Sequence, residues 1–363
     1  MTRFCIVIAL ERTAPRAAVE LATAAARNGF DGVVLSDRFA PWTAAQGQAP
    51  FVWAVAAAAA QATAPAAAQA TAPAGQATQL PAAGQAAQAT AAPAEPLAVH
   101  PGVIGVSHRM HPAVVAQASA TLADLYPGGH RLVLGAGELI NEHLAGSYWP
   151  EPPQRIARMF EALEIIRKLF SGKEIRHSGE HFTLEQSRLW TLSGQRPAVL
   201  VATSGPVTAR RAGAVADGIL TESSDPAQVR LLGERMRAGA EAAGRDPASL
   251  QLVVRSHHAL VRPTDEAGAA AALADAPNLA VRYPSAEVRT TRDFEQLLRA
   301  TDPAELAPKV VVGDTPEPHV ARIRQLLDAG ADELELRFLG PDQLGYQQFF
   351  SGRLLPALAD PAH

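Results

Sequence analysis

Carboxylates, small residues and one indole gather in this chain just behind short apolar runs. Glu11 follows the run Phe4–Ala9, and Ser36-Asp37-Arg38 follows Gly32–Leu35, with Trp42 and a Gln46-Gly47-Gln48 turn close behind. Gly135-Ala136-Gly137-Glu138 follows Arg131–Leu134, and Asn141 lies about one helical turn further on. Ala202-Thr203-Ser204-Gly205 and Thr221-Glu222-Ser223 close two more runs. Carboxylates brought together in a cleft serve proton transfer. Gly102, Gly105, Gly135, Gly137, Ser204 and Gly205 would let a flat polycyclic ligand lie against the backbone. Ser204-Gly205 ahead of a helix would also offer N–H groups to an anion such as a phosphate. Each residue has a structural reading too. Glu11 would be a solvated loop acid, Asp37 a brace for its loop, Trp42 a hydrophobic lid, and Glu138 an acid favoured at a helix start. His108 and His111 have helical spacing but no further ligands, so no metal is expected. His257 and His258 are adjacent in a strand and point to opposite faces.

These residues need a frame that brings strand ends to one place. Apolar, β-branched runs at Phe4–Ala9, Gly32–Leu35, Gly102–Val106, Arg131–Leu134, Ala198–Val201, Gly218–Leu220, Leu252–Val261 and Glu333–Phe338 read as parallel strands covered on both faces. Helix-length amphipathic segments separate them: Pro15–Asn28, Pro112–Leu125, Pro153–Phe170, Val207–Ala216, Ala227–Ala243 and Pro316–Ala329. Several open on Pro and end near Gly. Eight strands with intervening helices predict an α/β fold, a single (β/α)8 TIM barrel over residues 1–363, with the chemistry at the C-terminal strand ends. A doubly wound open sheet is the rival, and no Gly-x-Gly-x-x-Gly turn follows the first strand to support it.

Residues 61–96 are nearly all Ala, Gln, Thr, Pro and Gly and repeat the phrase Gln-Ala-Thr-Ala-Pro-Ala from Gln61 and Gln69. Such a segment lacks the apolar surface to offset its ordering entropy, so it reads as a disordered insertion between the second helix and the third strand. A second irregular stretch, Asp265 to Asp314, follows the seventh strand and would cover the catalytic face. The 363 residues are 48% apolar and 19% charged, with a formal net charge of -4. That balance gives no electrostatic footprint for nucleic acid and leaves a small molecule as the expected partner. The single cysteine, Cys5, reads as a buried strand residue. The N-terminal apolar run lacks the basic start of a signal peptide, and Ala54–Ala60 is too short to span a bilayer, so a cytoplasmic protein without a membrane partner is expected.

The order and spacing of several phrases resemble the F420-dependent glucose-6-phosphate dehydrogenase family, within the luciferase-like barrels. They are Ser36-Asp37-Arg38-Phe39-Ala40-Pro41-Trp42, Gln48-Ala49-Pro50-Phe51-Val52-Trp53, His111-Pro112-Ala113-Val114, Leu134-Gly135-Ala136-Gly137-Glu138-Leu139-Ile140-Asn141-Glu142-His143, Gly179-Glu180-His181-Phe182, Ala202-Thr203-Ser204-Gly205-Pro206 and Arg353-Leu354-Leu355-Pro356. The resemblance implies a homodimeric oxidoreductase that transfers hydride to or from the deazaflavin coenzyme F420. It implies that Asp37 contacts the deazaflavin and that Gly102-Val103 is a non-proline cis peptide behind the ring, beside Gly105. It further implies Glu138 as the acid that protonates the reduced ring. Asn141, Ala202, Thr203, Ser204 and Gly205 would line the cofactor, and Glu11 and Trp42 would face the substrate.

The departures bear on chemistry. Where the family pattern has a His that takes the substrate hydroxyl proton, this chain has Arg38, which stays protonated and cannot act as a general base. Where glucose-6-phosphate members carry a Lys after the sixth strand, this chain has Glu222, which would repel a phosphate. Arg282 and Lys309 are the remaining basic candidates for the substrate. A reductase is therefore expected, with Arg38 polarising a carbonyl or enone oxygen; Glu11 or His108 as a substitute base would restore alcohol oxidation. An FMN-dependent monooxygenase or reductase on the same barrel, and a cofactor-binding paralogue with impaired catalysis, stand as alternatives.

Overall fold

The structure is a computed structural model that describes residues 2–64, 96–126, 129–262, 265, 268, 270, 274–281, 284–301 and 309–359. Its frame is a parallel sheet rolled into a nearly closed barrel. In chain order the strands are β1 (Arg3–Ile8), β2 (Gly32–Leu35), β3 (Ala98–Pro101), β4 (Ile104–Gly105), β5 (Arg131–Gly135), β6 (Ile175–Ser178), β7 (Thr183–Ser187), β8 (Ala198–Ala202), β9 (Gly218–Thr221), β10 (Gln251–Ala259), β11 (Val310–Val312) and β12 (Glu333–Phe338). Round the wall the order is β3-β2-β1-β12-β10-β9-β8-β5-β4. β3 pairs with β2 and β4 with β5, so two short strands share one wall position. The third predicted strand is thus corrected. It starts at Ala98, and it breaks at Gly102–Val103, whose peptide bond is cis.

Side chains alternate across a strand, and parallel register keeps aligned residues on one face. Arg255 aligns with Glu335, which aligns with Cys5, and Val253 aligns with Leu220. This parity divides the barrel interior into two halves. Val133, Leu200, Leu220 and Val253 make one apolar cluster inside it. Glu333, Glu335 and Arg337 of β12 face the other half. There Arg131 reaches both Glu333 and Glu335 at 2.5 Å, and Arg255 reaches Glu335 at 2.7 Å. The alternate residues, among them Leu334, Leu336 and Phe338, face the helices and belong to the main core.

The helices that shape this outer layer begin where Pro fixes φ and needs no N–H partner. Pro15–Arg27, Pro112–Leu125, Pro152–Leu169, Pro206–Val215, Pro226–Ala242 and Pro316–Asp328 all do so. The helix Val52–Thr63 runs into the low-complexity stretch, so residues 61–63 are helical. The rest of the expected insertion, 65–95, lies outside the described residues. Two strand pairings were not expected. The β6–β7 hairpin is antiparallel and largely exposed. β11, inside the stretch read as irregular, adds to β10. The described part of that stretch also holds helix Thr291–Arg299 and two short turns, Pro277–Leu279 and Ser285–Glu287. It caps the barrel mouth through Phe294, Val281 and Val288, which pack on Trp42 and Ile140. Among the described residues no helix is long and apolar enough to cross a membrane.

Behind β10, His258 and His319 are fully buried, their Nδ1 atoms 2.9 Å apart, and His319 Nε2 meets the Gly313 carbonyl at 3.0 Å. Burial lowers the proton affinity of both, and it lowers His130 to about 4 and His257 to about 3. Unfolding frees these imidazoles to protonate near about 6.5. Stability contributed by the neutral rings is therefore full above that pH and is lost as pH falls below it. Thermal melts should show Tm dropping from pH 7 towards pH 5, and the double change His258→Leu/His319→Leu should make the drop shallower. An unchanged slope in that variant would remove the pair as a source.

Candidate functional site

At the C-terminal ends of the strands lies a cavity of about 430 Å³. A hollow of about 520 Å³ beside helix Pro15–Arg27 is larger, but none of the residues expected to do chemistry lines it. The smaller cavity gathers Glu11, Asp37, Arg38, Trp42, Glu138, Asn141, Ala202 and Ser204 at and just beyond the C-terminal ends of four different strands, β1, β2, β5 and β8. Sequence distances of more than a hundred residues collapse here because parallel strands bring all their C-terminal ends to one face.

Arg38 is the centre of the constellation. Its guanidinium lies 3.7 Å from the Trp42 ring centroid. Nη1 is 3.1 Å from Glu138 Oε2, and Nε donates to the Ala40 carbonyl at 3.2 Å. Nη2 is buried and has no partner. Trp42 is itself 2% exposed, sandwiched between Arg38 and Phe294 of the cap. It is thus a packed platform for the cation.

Three carboxylates surround this group and differ in proton affinity. Burial pushes Glu138 up, and Glu222 and Glu11 add to that against the pull of Arg38, so its pKa stands above the ordinary value. Glu11 is 2% exposed, not a solvated loop acid. Burial raises its pKa, but Arg337, Arg38 and the Ser36 hydroxyl outweigh it and hold it below the usual range. Its oxygens accept from Arg337 Nη2 at 3.1 Å and Ser36 Oγ at 2.6 Å. Glu222, whose side chain is 39% exposed, is likewise lowered although desolvation raises it, chiefly by Arg255, which it meets at 2.7 Å.

The opposite wall is built of small residues. Gly102 and Val103 join Gly105, Gly135, Ala136 and Gly137 around the cavity. A Cβ on Gly105 would come within 2.7 Å of Glu142 Oε1, and one on Gly135 within 2.7 Å of Val103 Cγ1. Two acceptors are buried at this wall without a partner, Asp37 Oδ1 and Glu142 Oε1. Asp37 Oδ2 is held by Arg109, and Glu142 Oε2 accepts from the backbone N–H groups of His108 and Arg109 at 2.8 and 2.7 Å. A flat face with unsatisfied polar atoms at its edge suits a planar heterocycle with ring N–H or hydroxyl groups.

The profile of the luciferase-like monooxygenases matches residues 72–333. The chain belongs to that family. Curated relatives include the F420-dependent glucose-6-phosphate dehydrogenase of Nakamurella multipartita, 28% identical over 362 residues, covering 98% of this chain and 96% of the relative. The enzyme of that name from Segniliparus rotundus is 30% identical over 355 residues, covering 96% and 95%. Among solved structures, an F420-dependent secondary alcohol dehydrogenase in complex with an F420-acetone adduct superposes with a TM-score of 0.84 at 24% identity, covering 99% of both chains. The coenzyme F420-dependent tetrahydromethanopterin reductase of Methanopyrus kandleri gives 0.73 at 18% identity, covering 98% and 99%. The last two show a shared fold. This luciferase-like chain is an oxidoreductase of a family whose relatives depend on F420.

Not every expected site residue reaches the cavity. Asn141 lines it, but its Oδ1 accepts from the N–H groups of Phe39 and Ala40, and its Nδ2 donates to Glu138 at 3.0 Å. It positions the Arg38 loop against Glu138. Thr203 and Gly205 are absent from the lining, and the Gly205 N–H donates to Thr203 Oγ1 at 3.0 Å inside their own turn. Lys309 is also absent from it, and its ammonium donates to the Leu279 carbonyl at 2.5 Å. Arg282 lies outside the described residues. His108 does not line the cavity either.

Arg109, Glu142, Arg255 and Arg337 line the cavity and were not singled out in the sequence. The signal for the last was present: Glu333-Leu334-Glu335-Leu336-Arg337-Phe338 alternates charge with apolar residues in a strand covered on both faces. Deeper in the barrel, donor atoms of Cys5, His100 and Glu333 lie within 4.8 Å of one another. Arg131 occupies Glu333, and the Arg131 N–H donates to His100 Nδ1 at 3.1 Å, which leaves the imidazole proton on Nε2. These groups belong to the ion network and make a poor metal site.

The Asp37–Arg109 pair gives a direct test. Arg109→Met leaves a buried carboxylate without its cation, a loss on the order of 3 kcal/mol. It should appear as a lower urea midpoint, and adding Asp37→Asn should recover part of it. Full stability in the single variant would show that the pair carries no weight.

Proposed function

We propose that this chain is an F420-dependent oxidoreductase that moves hydride between the deazaflavin and a small carbonyl, enone or alcohol, running as a reductase, and that glucose-6-phosphate is not its substrate. The observation that carries the reading is the unpartnered Nη2 of Arg38, in a guanidinium fixed by Ala40, Trp42 and Glu138, the carboxylate whose raised proton affinity gives the direction. A buried, preorganised donor stabilises negative charge as it develops on an oxygen, and it needs no reorganisation to do so. The small-residue wall and the free oxygens of Asp37 and Glu142 would hold the deazaflavin. When bound, it supplies the hydride.

Glu138 holds the proton that the substrate oxygen takes, a different task from the ring protonation that the resemblance implies. Its Oε2 already accepts from Arg38 and Asn141, so the proton sits on Oε1. Its raised proton affinity keeps the proton on it to a higher pH than an ordinary carboxylate would. A phosphate would find no cation unmatched by a carboxylate among the described lining residues. Arg38, Arg109, Arg255 and Arg337 are each paired with a carboxylate, and Lys309 is spent on a carbonyl.

Titration of the purified protein with F420 and with FMN should give binding of F420 at concentrations where FMN leaves the spectrum unchanged. With reduced F420, Arg38→Met should lower carbonyl reduction by about a hundredfold or more, and Arg38→His should weaken it as well. The rate should fall as pH rises through the Glu138 pKa, a limb that Glu138→Gln removes. Undiminished reduction in both Arg38 variants would overturn the assigned role.

A further inference from the structure

The cap contributes one polar side chain to the cavity whose geometry the assigned chemistry does not use. Asn278 lies in the turn Pro277–Leu279, lines the cavity, and has its Oδ1 buried without a partner. An amide left unsatisfied in a folded chain costs free energy unless a ligand completes it.

The turn is not a loose surface loop. Asp275 anchors its start by pairing with Arg12 at 2.9 Å and by accepting the Gly340 N–H at 2.6 Å. The Asp275 carbonyl accepts from Arg337 Nη2 and Gln46 Nε2, each at 3.2 Å. The Leu279 carbonyl, next to Asn278, is the acceptor for Lys309. The turn is thus held on both sides of Asn278, whose buried side-chain oxygen has no partner. Rigid support around an unsatisfied group is the arrangement expected of a recognition residue.

We propose that Asn278 recognises a hydroxyl group on a neutral carbonyl substrate whose carbonyl oxygen lies on Arg38 Nη2; this rests on the reductase reading above. A hydroxyl both donates and accepts, so it satisfies the amide in either orientation of its oxygen and nitrogen. Neutrality follows from the charges at the cavity. Among the described residues every lining guanidinium is matched by a carboxylate, so an anionic substituent would have to displace one. The cavity volume of about 430 Å³ has to be shared with a deazaflavin ring, which keeps the substrate small. The substrate class is a short, uncharged hydroxyketone or hydroxyaldehyde.

The test uses the full chain with reduced F420 and pairs each probe with its control. Hydroxyacetone, and homologues with the hydroxyl one and two carbons further away, are compared with the parent ketones and with hydroxyacetone phosphate. At least one hydroxyketone should exceed its parent ketone by about tenfold or more in kcat/KM, and the phosphate ester should not. In Asn278→Leu that ratio should fall to near one. Asn278→Ser keeps a hydrogen-bonding group and serves if the leucine variant does not fold; it should retain part of the preference. Binding is read separately by saturation-transfer NMR of the same probes on protein without F420. Preference lost with Asn278, in turnover or in NMR, supports the proposal; Asn278-dependent binding without turnover supports it while sinking the reductase reading. Ketones reduced with no hydroxyl preference, or a preference that survives both variants, overturns the proposal and leaves the reductase reading standing. Neither turnover nor binding of any probe overturns both.

Discussion

An ionised group inside a strand barrel is tolerated only where an opposite charge meets it, and that constraint organises this molecule from floor to mouth. β12 carries Glu333, Glu335 and Arg337 on its inward face, and each finds its partner on a different wall position. Arg131 comes from β5, Arg255 from β10 and Glu11 from the end of β1. Because these strands are locked in register, the pairs fix the side chains at the mouth as firmly as they fix those below. The network is not a surplus of stability, since well-packed apolar residues would fill the same space at less cost. What it supplies is a set of carboxylates whose orientation does not depend on substrate.

The consequence for proton chemistry is a division of roles among like groups. Glu11 and Glu222 end the two ladders, Arg337 to Glu11 and Arg255 to Glu222, and their cations hold both below the ordinary carboxylate range. Glu138 stands outside the ladders and shares Arg38 with the cavity, so burial and its two acidic neighbours dominate it. Among these three carboxylates, a proton donor beside two fixed anions is a pattern that separates acid from spectator by environment alone. Asn141 completes it by binding Glu138 at one end and the backbone of the Arg38 loop at the other.

The sequence carried the barrel because parallel strands covered on both faces print themselves as continuous apolar runs, and proline marked six helix starts to within one residue. It did not carry β6 and β7, whose residues are mostly exposed and polar and so lack that print. It misplaced β3 because the wall position is split by a cis bond that no local preference announces. In the site, residues directly behind a strand were legible: Glu11, Asp37, Arg38 and Glu138 all meet. Arg109 and Asn278 were not, because each reaches the cavity from a loop whose course is set by tertiary packing. Lys309 failed for the opposite reason. A basic residue in a cap has backbone carbonyls within reach, and Leu279 claimed this one.

Arg38 bears on direction as well as on binding. A cation beside the reacting oxygen favours an alkoxide whichever way hydride moves, so it does not by itself choose between reduction and oxidation. The choice lies in where the oxygen's proton goes. Oxidation needs an available base, yet Glu11 is held through both oxygens, one by Arg337 and one by Ser36. Glu222 is bound to Arg255, and a carboxylate whose proton affinity is depressed by a cation is a weak acceptor. Reduction needs a donor, and Glu138 is the carboxylate beside Arg38 whose environment favours its protonated form; burial raises Asp37 and Glu142 as well, but they are held at the glycine wall by Arg109 and by backbone N–H groups. The ladder that makes the interior habitable for charge therefore also biases the mouth, because it ties up the bases and leaves the acid.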